Sequence, residues 1–313
     1  MIQARGLARM FRTRAGEVEA VRGIDLDVAE GEIVGFLGPN GAGKTTTLRM
    51  LTTLIAPTAG TARVAGHDLL AEPVEVRRRI GYVAQSGSTL PEARVGEELV
   101  DQGRLYGMTA GAAAARGEEL LAGLDLEGVW GRLSKTLSGG QRRRLDVAMG
   151  LIHSPGLVFL DEPTSGLDPQ ARANLWHHVR GLRDQRGATV FLTTHYLEEA
   201  DALCDRILVI DHGEIVAEGA PEELKRRISG DTVVLTFGDD AGAATAGLLL
   251  DGVVDGPLVR LQIPSAVDGL PGIFRALDEA ELSPLGVEVH RPTLDDVFLS
   301  LTGHALRDEV PPT

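Results

Sequence analysis

The octapeptide Gly38-Pro39-Asn40-Gly41-Ala42-Gly43-Lys44-Thr45 matches G-x-x-x-x-G-K-[ST], and it constrains this chain more than any other feature. It follows a short apolar run at residues 32–37 and precedes a helix-compatible stretch at 44–55. That spacing predicts a strand, a glycine-rich loop and a helix in that order. The glycines let successive backbone N–H groups turn toward one point. The helix start adds its positive dipole end, and Lys44 supplies a mobile charge for β- and γ-phosphates. Such a loop is built to hold a triphosphate. Thr45 is placed to put its hydroxyl on Mg²⁺, and Thr46 to lend donors on the α-phosphate side.

A phosphate loop of this kind needs a carboxylate for the metal shell and a group that orients the attacking water. The run Leu157-Val158-Phe159-Leu160 has the continuous apolar character of a buried parallel strand, and it ends in Asp161-Glu162. Asp161 is expected on the metal side. Glu162, at the strand end, is expected to accept a proton from water. Two further runs of this type lie at 189–193 and 207–210, and a helical stretch at 170–186 separates them from the first run. Strand and helix in alternation imply an α/β core with its active groups at the carboxyl ends of the strands.

Around that core the pattern changes. Residues 1–33 alternate, with Ile24, Leu26 and Val28 against Asp25 and Asp27, around a turn-like segment at Thr13–Gly16, as in antiparallel strands. Residues from about 74 to 133 read as helical, interrupted at Gly87, Pro91, Gly107, Gly111 and Gly128, and are expected to form a helical insertion. Pro221 and the charged stretch 222–227 read as a junction. Beyond it, strands at 232–237, 253–263 and 286–290 and helices at 269–281 and 294–301 suggest a small α+β domain. At 313 residues the chain exceeds one core, so two domains are expected, 1–220 and 221–313, with a helical subdomain at about 85–155.

Composition narrows the functional classes. Cys204 is the one cysteine, which excludes an internal disulfide and a cysteine metal cluster. A net charge of −14 argues against a role resting on nonspecific neutralisation of nucleic-acid phosphates. No run reaches the roughly 18–20 apolar residues that cross a bilayer, the nearest being the Ala/Leu-rich segment that stops at Asp251. The amino terminus carries arginines without an apolar core, so it does not read as a secretory signal. A cytoplasmic location follows as an expectation.

Leu137-Ser138-Gly139-Gly140-Gln141, followed by Arg142-Arg143-Arg144, narrows the class further. A Ser-Gly-Gly turn at a helix start presents a hydroxyl and N–H groups and makes a second anion site, although it also serves as a plain helix cap. One triphosphate does not need two cradles from one chain. With these motifs in order, the chain resembles the ABC ATPase family. The resemblance implies a P-loop NTPase fold with a mixed sheet core, antiparallel β and helical subdomains, and ATP with Mg²⁺ as ligands. It also implies a head-to-tail homodimer in which Ser138, Gly139, Gly140 and Gln141 meet the γ-phosphate held by the other copy.

Other positions match that family one by one. Gln85, after Ile80–Val83, resembles the glutamine that senses the metal and attacking water near the contact with a membrane subunit. Asp168, in Ser165-Gly166-Leu167-Asp168, resembles the loop that communicates between the two sites. His195 resembles the switch histidine that holds the γ-phosphate and Glu162. Phe11 falls where the family places an aromatic ring on adenine, with tyrosine the commoner choice; a core role is equally ordinary for it.

The stretches Gly166 to Arg172, His195-Tyr196-Leu197-Glu198-Glu199-Ala200 and Pro292-Thr293-Leu294-Asp295-Asp296-Val297-Phe298-Leu299 resemble the daunorubicin-resistance type of drug-export ATPase. That type pairs with a separate ABC-2 membrane permease, which implies a peripheral location on the cytoplasmic face and a cargo contacted mainly by the permease. Leu294, Val297, Phe298 and Leu301 recur at helical spacing, so this last segment also reads as an amphipathic helix closing the small domain. A DNA-repair or chromosome ATPase of this superfamily would carry a long coiled coil, and a ribosome-binding relative two cassettes in one chain. Neither feature is in the sequence. An importer subunit and a regulatory module that uses ATP only as a switch are the remaining alternatives, and the intact Asp161-Glu162 and His195 favour turnover over the second.

Overall fold

Alternation in the first thirty residues becomes a twisted antiparallel pair, β1 (Ile2–Thr13) and β2 (Gly16–Val28), in which Ile24, Leu26 and Val28 are buried and Asp25 and Asp27 exposed. The computed structural model describes residues 1–13, 16–228 and 230–302. The turn expected at Thr13–Gly16 falls partly on residues 14–15, and the proline-containing tail on 303–313, so both lie outside the described residues. The chain divides into two compact units, Met1–Ala220 and Pro221–Thr313.

In the first unit, β3 (Ile33–Leu37) runs into the glycine loop and α1 (Lys44–Leu51). The chain then returns through β4 (Ala59–Val64) and β5 (His67–Asp68), completing a sheet ordered β2-β1-β4-β5. There follow α2 (Pro73–Arg79), β6 (Ile80–Val83), α3 (Val95–Leu105), α4 (Ala110–Ala122) and α5 (Gly139–Leu151). The unit closes with β7 (Leu157–Asp161), α6 (Pro169–Arg186), β8 (Thr189–Thr194), α7 (Leu197–Leu203), β9 (Arg206–Asp211) and β10 (Glu214–Gly219).

Six strands form the central sheet in the order β10-β9-β3-β8-β7-β6, parallel except for the antiparallel edge strand β10. Every residue of β3, β7 and β8 is buried, which is why these segments read as continuous apolar runs instead of alternating ones. Phe36 and Phe159 each pack at a tilt against Phe191, with ring centroids 5.5 and 5.7 Å from it. Each such ring contributes about 1.5–3 kcal/mol by burial. The segment expected to be helical from about 74 to 133 contains one correction: Ile80–Val83 is strand β6, the edge of this sheet, paired to β7 from Ile80↔Leu157 to Val83↔Leu160. Four residues are too few to show a period, and only pairing with β7 decides their state.

The helix termini follow local chemistry. Asp168 caps α6 by accepting from Ala171 N at 2.9 Å, Pro169 opens the helix, and Gly187 closes it in a left-handed conformation. Ser138 and Gln141 form a reciprocal capping box at the start of α5, Gln141 N donating to Ser138 Oγ at 3.2 Å and Ser138 N to Gln141 Oε1 at 3.1 Å.

The second unit runs α8 (Pro221–Ile228), β11 (Asp231–Thr236), α9 (Asp240–Leu250), β12 (Val253–Asp255), β13 (Leu258–Ile263), α10 (Ala266–Glu279), β14 (Gly286–His290) and α11 (Leu294–Thr302). Its antiparallel sheet has the order β12-β13-β11-β14, the directions of a split βαβ, ferredoxin-like motif. The single strand expected at 253–263 is a hairpin, and the Ala/Leu-rich segment before it is helix α9. Val233, Leu235, Val259, Leu261, Ala243, Ala246, Ile273 and Leu277 form the core. In α11, Leu294, Val297 and Phe298 are buried while Leu301 is 41% exposed, and the helix packs on α8.

Candidate active site

Four neighbouring strands of the central sheet, β3, β8, β7 and β6, end at nearly one level, with Leu37 beside Thr194, Asp161 beside Thr193, and Val83 beside Leu160. Their carboxyl ends deliver the glycine loop, His195, Asp161-Glu162 and Gln85 to one place. That is where an open parallel sheet has free space for a ligand.

The loop admits little beyond glycine at two positions. A Cβ on Gly38 would sit 2.2 Å from Ile210 O, and one on Gly43, at φ +107, would sit 2.5 Å from Ala20 O. Both are backbone collisions. Pro39, Asn40, Gly41 and Ala42 complete the turn, and Ala42 N donates back to Pro39 O at 3.3 Å. Lys44, only 4% exposed, folds over the loop, its Nζ donating to Gly38 O at 2.7 Å and Pro39 O at 2.9 Å and lying 3.6 Å from Glu162 Oε1. Thr46 follows Thr45 in the first turn of α1.

Three side chains from three strand ends converge on Glu162. Besides Lys44, Gln85 Nε2 donates to Glu162 Oε2 at 2.8 Å, and His195 Nδ1 lies 3.3 Å from the same oxygen. Burial alone pushes the Glu162 carboxyl up. The His195 ring and the Lys44 ammonium outweigh it and hold the group below the ordinary glutamate range. Glu162 has φ +43, a strained value for a residue with a side chain, secured by its N–H donating to Thr193 O at 3.1 Å and Thr193 Oγ1 at 3.0 Å. His195 Nδ1 is shielded from solvent, and at 3.3 Å its approach to Glu162 Oε2 is close but not aligned as a hydrogen bond.

Next to this cluster, Thr45 Oγ1 donates to Asp161 Oδ1 at 3.2 Å, and Thr193 Oγ1 donates to the same oxygen at 2.7 Å. A hydroxyl, a carboxylate and the nearby Gln85 amide are hard oxygen donors of the sort Mg²⁺ uses when phosphates and waters complete its shell. Among the described residues no group of three His, Cys, Asp or Glu side chains could hold a metal.

The other expected residues lie apart from this cluster. Ser138, Gly139, Gly140 and Gln141 form the turn at the start of α5. There a Cβ on Gly140 would meet Ala171 Cβ at 3.0 Å, so the turn packs beside the Asp168 cap of α6. Phe11 lies on β1 in an open cleft with Ala8, Met10, Val21 and Arg22, and Arg9 covers one ring face at 4.7 Å from its centroid.

Several residues in and around the site escaped the sequence reading. Arg143 of α5 is buried and spreads its guanidinium over four backbone carbonyls. Nε donates to Pro163 O at 2.7 Å, Nη1 to Ala84 O at 2.5 Å, and Nη2 to Asp161 O at 3.0 Å and Glu162 O at 3.4 Å. Thr193 anchors both acids. On α7, fully buried Glu199 accepts from Trp176 Nε1 of α6 at 3.1 Å, and burial pushes its carboxyl above the ordinary range. For Thr193 the signal open to sequence was weak, a hydroxylic residue inside an apolar run, and Arg143 and Glu199 gave no signal of that kind.

An ABC transporter family model matches residues 21–165, and an AAA domain model matches residues 131–201. The chain is 47% identical, over 93% of both chains, to a daunorubicin resistance ATP-binding protein of Streptomyces coeruleorubidus. It is 45% identical to a daunorubicin/doxorubicin resistance ATP-binding protein of Streptomyces peucetius, over 98% of this chain and 94% of the other. It is 42% identical to a Nod factor export ATP-binding protein of Paraburkholderia xenovorans, over 94% and 95%. Among solved structures, a dimeric ATP-binding cassette in a post-hydrolysis state, bound to ADP and phosphate, matches with a TM-score of 0.65 at 26% identity over 70% of this chain and 98% of that one.

Proposed function

The chain belongs to the ABC transporter ATP-binding family, and from that premise we propose that it hydrolyses ATP in a head-to-tail homodimer and powers export through a separate ABC-2 type permease. The fold is that of the family's cassettes, and ATP hydrolysis is the activity of such chains. We take residues 1–220 as the nucleotide-binding domain, with a helical subdomain at about 85–155, and 221–313 as an accessory domain. One observation carries the mechanism: Lys44, Gln85 and His195 meet on the carboxylate of Glu162 while Thr45 and Asp161 meet beside it.

In this reading Lys44 and the loop N–H groups hold the β- and γ-phosphates, Thr46 adds donors at the α-phosphate, and Phe11 supports the base. Thr45, Asp161 and Gln85 would hold Mg²⁺, which when bound neutralises charge on the β- and γ-oxygens. Glu162, kept ionised by His195 and Lys44, orients water and takes its proton as oxygen attacks the γ-phosphorus. The bond from γ-phosphorus to the bridging oxygen breaks, and ADP leaves with that oxygen's electron pair. Ser138, Gly139, Gly140 and Gln141 of the second copy close over the γ-phosphate, with Asp168 beside them. Loss of phosphate removes the charge that holds the copies together.

No helix among the described residues is long and apolar enough to cross a membrane; in this reading a partner passes the cargo. The export relatives motivate the permease, a drug-like or hydrophobic cargo, and a peripheral place at the cytoplasmic face. Glu162→Gln tests the reading: ATP binding persists, steady turnover falls by about 10²–10⁴-fold, and light scattering finds an ATP-trapped dimer. Retained turnover removes Glu162 as the base. Copurification of the full chain with ribosomes or DNA, and not with a polytopic membrane protein, removes the transport assignment.

A further inference from the structure

Helix α5 grips the segment around Gln85 from both sides. On one flank Arg143 Nη1 donates to Ala84 O at 2.5 Å. On the other, Ser88 donates to Asp146 Oδ1 through its N–H at 2.8 Å and its hydroxyl at 3.1 Å. Gln85, between them, donates to Glu162 Oε2 at 2.8 Å. The same guanidinium reaches the carbonyls of Asp161, Glu162 and Pro163. Arg143 and Asp146 are three residues apart on one helical face, 7% and 4% exposed, and the helix that carries them starts at Ser138.

A buried guanidinium and a buried carboxylate with these partners leave the loop little freedom to move without α5. Their burial is unfavourable unless every polar atom is matched, so sliding the helix past the loop breaks several charge-assisted hydrogen bonds at once. At 1.5 Å per residue, Asp146 stands about 12 Å along the axis from Ser138. A rigid helix of that length carries displacement from one end to the other.

We propose that Arg143 and Asp146 are positioning residues that gear the Ser138 turn to Gln85 and Glu162 of the same chain. A nucleotide held by the second copy, on seating against Ser138, thereby adjusts this chain's own hydrolytic carboxylate. The inference rests on the dimer reading above and adds to it a route between the two nucleotides through α5.

Amide hydrogen exchange on the full chain in the Glu162→Gln background tests it, following peptides over 137–142 and 84–90 with and without Mg-ATP. In that background both segments gain protection together. Adding Asp146→Ala leaves the gain at 137–142 and reduces that at 84–90 by roughly tenfold or more, since two hydrogen bonds to a charged group are lost. Asp146→Asn, which keeps an accepting oxygen, restores it. With Glu162 intact, Asp146→Ala lowers kcat about tenfold while ATP affinity stays within about twofold. A coupled response of both segments in Asp146→Ala overturns the gearing. Absence of any ATP response at 137–142 in the Glu162→Gln background instead overturns the dimer reading, and the gearing with it.

Discussion

Replacing Thr193 by valine isolates one hydroxyl that no motif announces. Thr193 is fully buried on β8, and its Oγ1 donates to Asp161 Oδ1 at 2.7 Å while accepting from Glu162 N. The Glu162 N–H keeps Thr193 O at 3.1 Å, so the substitution orphans mainly the carboxylate oxygen, which retains Thr45 at 3.2 Å. Loss of a hydrogen bond to a charged group costs about 1.5–3 kcal/mol. A buried methyl in place of the hydroxyl returns about 0.8 kcal/mol, leaving a net loss of about 1–2 kcal/mol. For a unit of this size each kcal/mol corresponds to roughly 2–4 °C, so the melting temperature should fall by roughly 2–8 °C. If Asp161 orients a metal, the Mg²⁺ concentration that half-saturates ATPase activity should rise by about 10–100-fold, as when other outer-shell partners of a ligand are removed. Thr193→Ser, which keeps the hydroxyl, should recover the Mg²⁺ dependence though not all of the stability. Calorimetry and an Mg²⁺ titration decide the matter. An unchanged melting temperature with an unchanged Mg²⁺ requirement would refute the claim that this hydroxyl positions Asp161.

The Glu162 carboxyl is held low, so it stays charged through the ordinary glutamate range; the stability it contributes is fully present above that range and is lost as pH falls through its lowered value. His195→Ala removes the largest lowering contact and leaves burial, so the acid limb of the kcat profile should move to higher pH; a limb that stays or moves lower contradicts the assignment. Gly43→Ala forces a Cβ to 2.5 Å from Ala20 O at φ +107. Denaturant titration should show a loss on the order of 2–3 kcal/mol together with weakened ATP binding, and wild-type values for both would show that the loop tolerates a side chain.

The glycine loop, the Asp161-Glu162 pair and the Ser138 turn were legible because each is a local device, complete within about eight residues and marked by glycine spacing or by an apolar run ending in acid. The buried strands were legible for the same reason. Arg143, Asp146 and Thr193 were not, because each draws its meaning from partners distant in sequence: Ser88 lies 58 residues before Asp146, and Asp161 lies 32 before Thr193. Arg143 in particular stands in a row of three arginines and is distinguished from its neighbours only by the helix face it occupies. Strand β6 and the hairpin β12–β13 were misread because runs as short as β6 and β12 carry no period of their own, and their pairing is set by β7 and β13.

Strand β3 lies between β8 and β9, both of which come from the last third of the first unit. During synthesis the loop bearing Lys44 therefore leaves the ribosome long before either of its lateral supports exists, and the segment through α5 lacks the strand that joins β3 to β7. Nucleotide binding should emerge late and abruptly as the nascent chain lengthens past Thr194, and fragments ending before it should gain no protection from ATP.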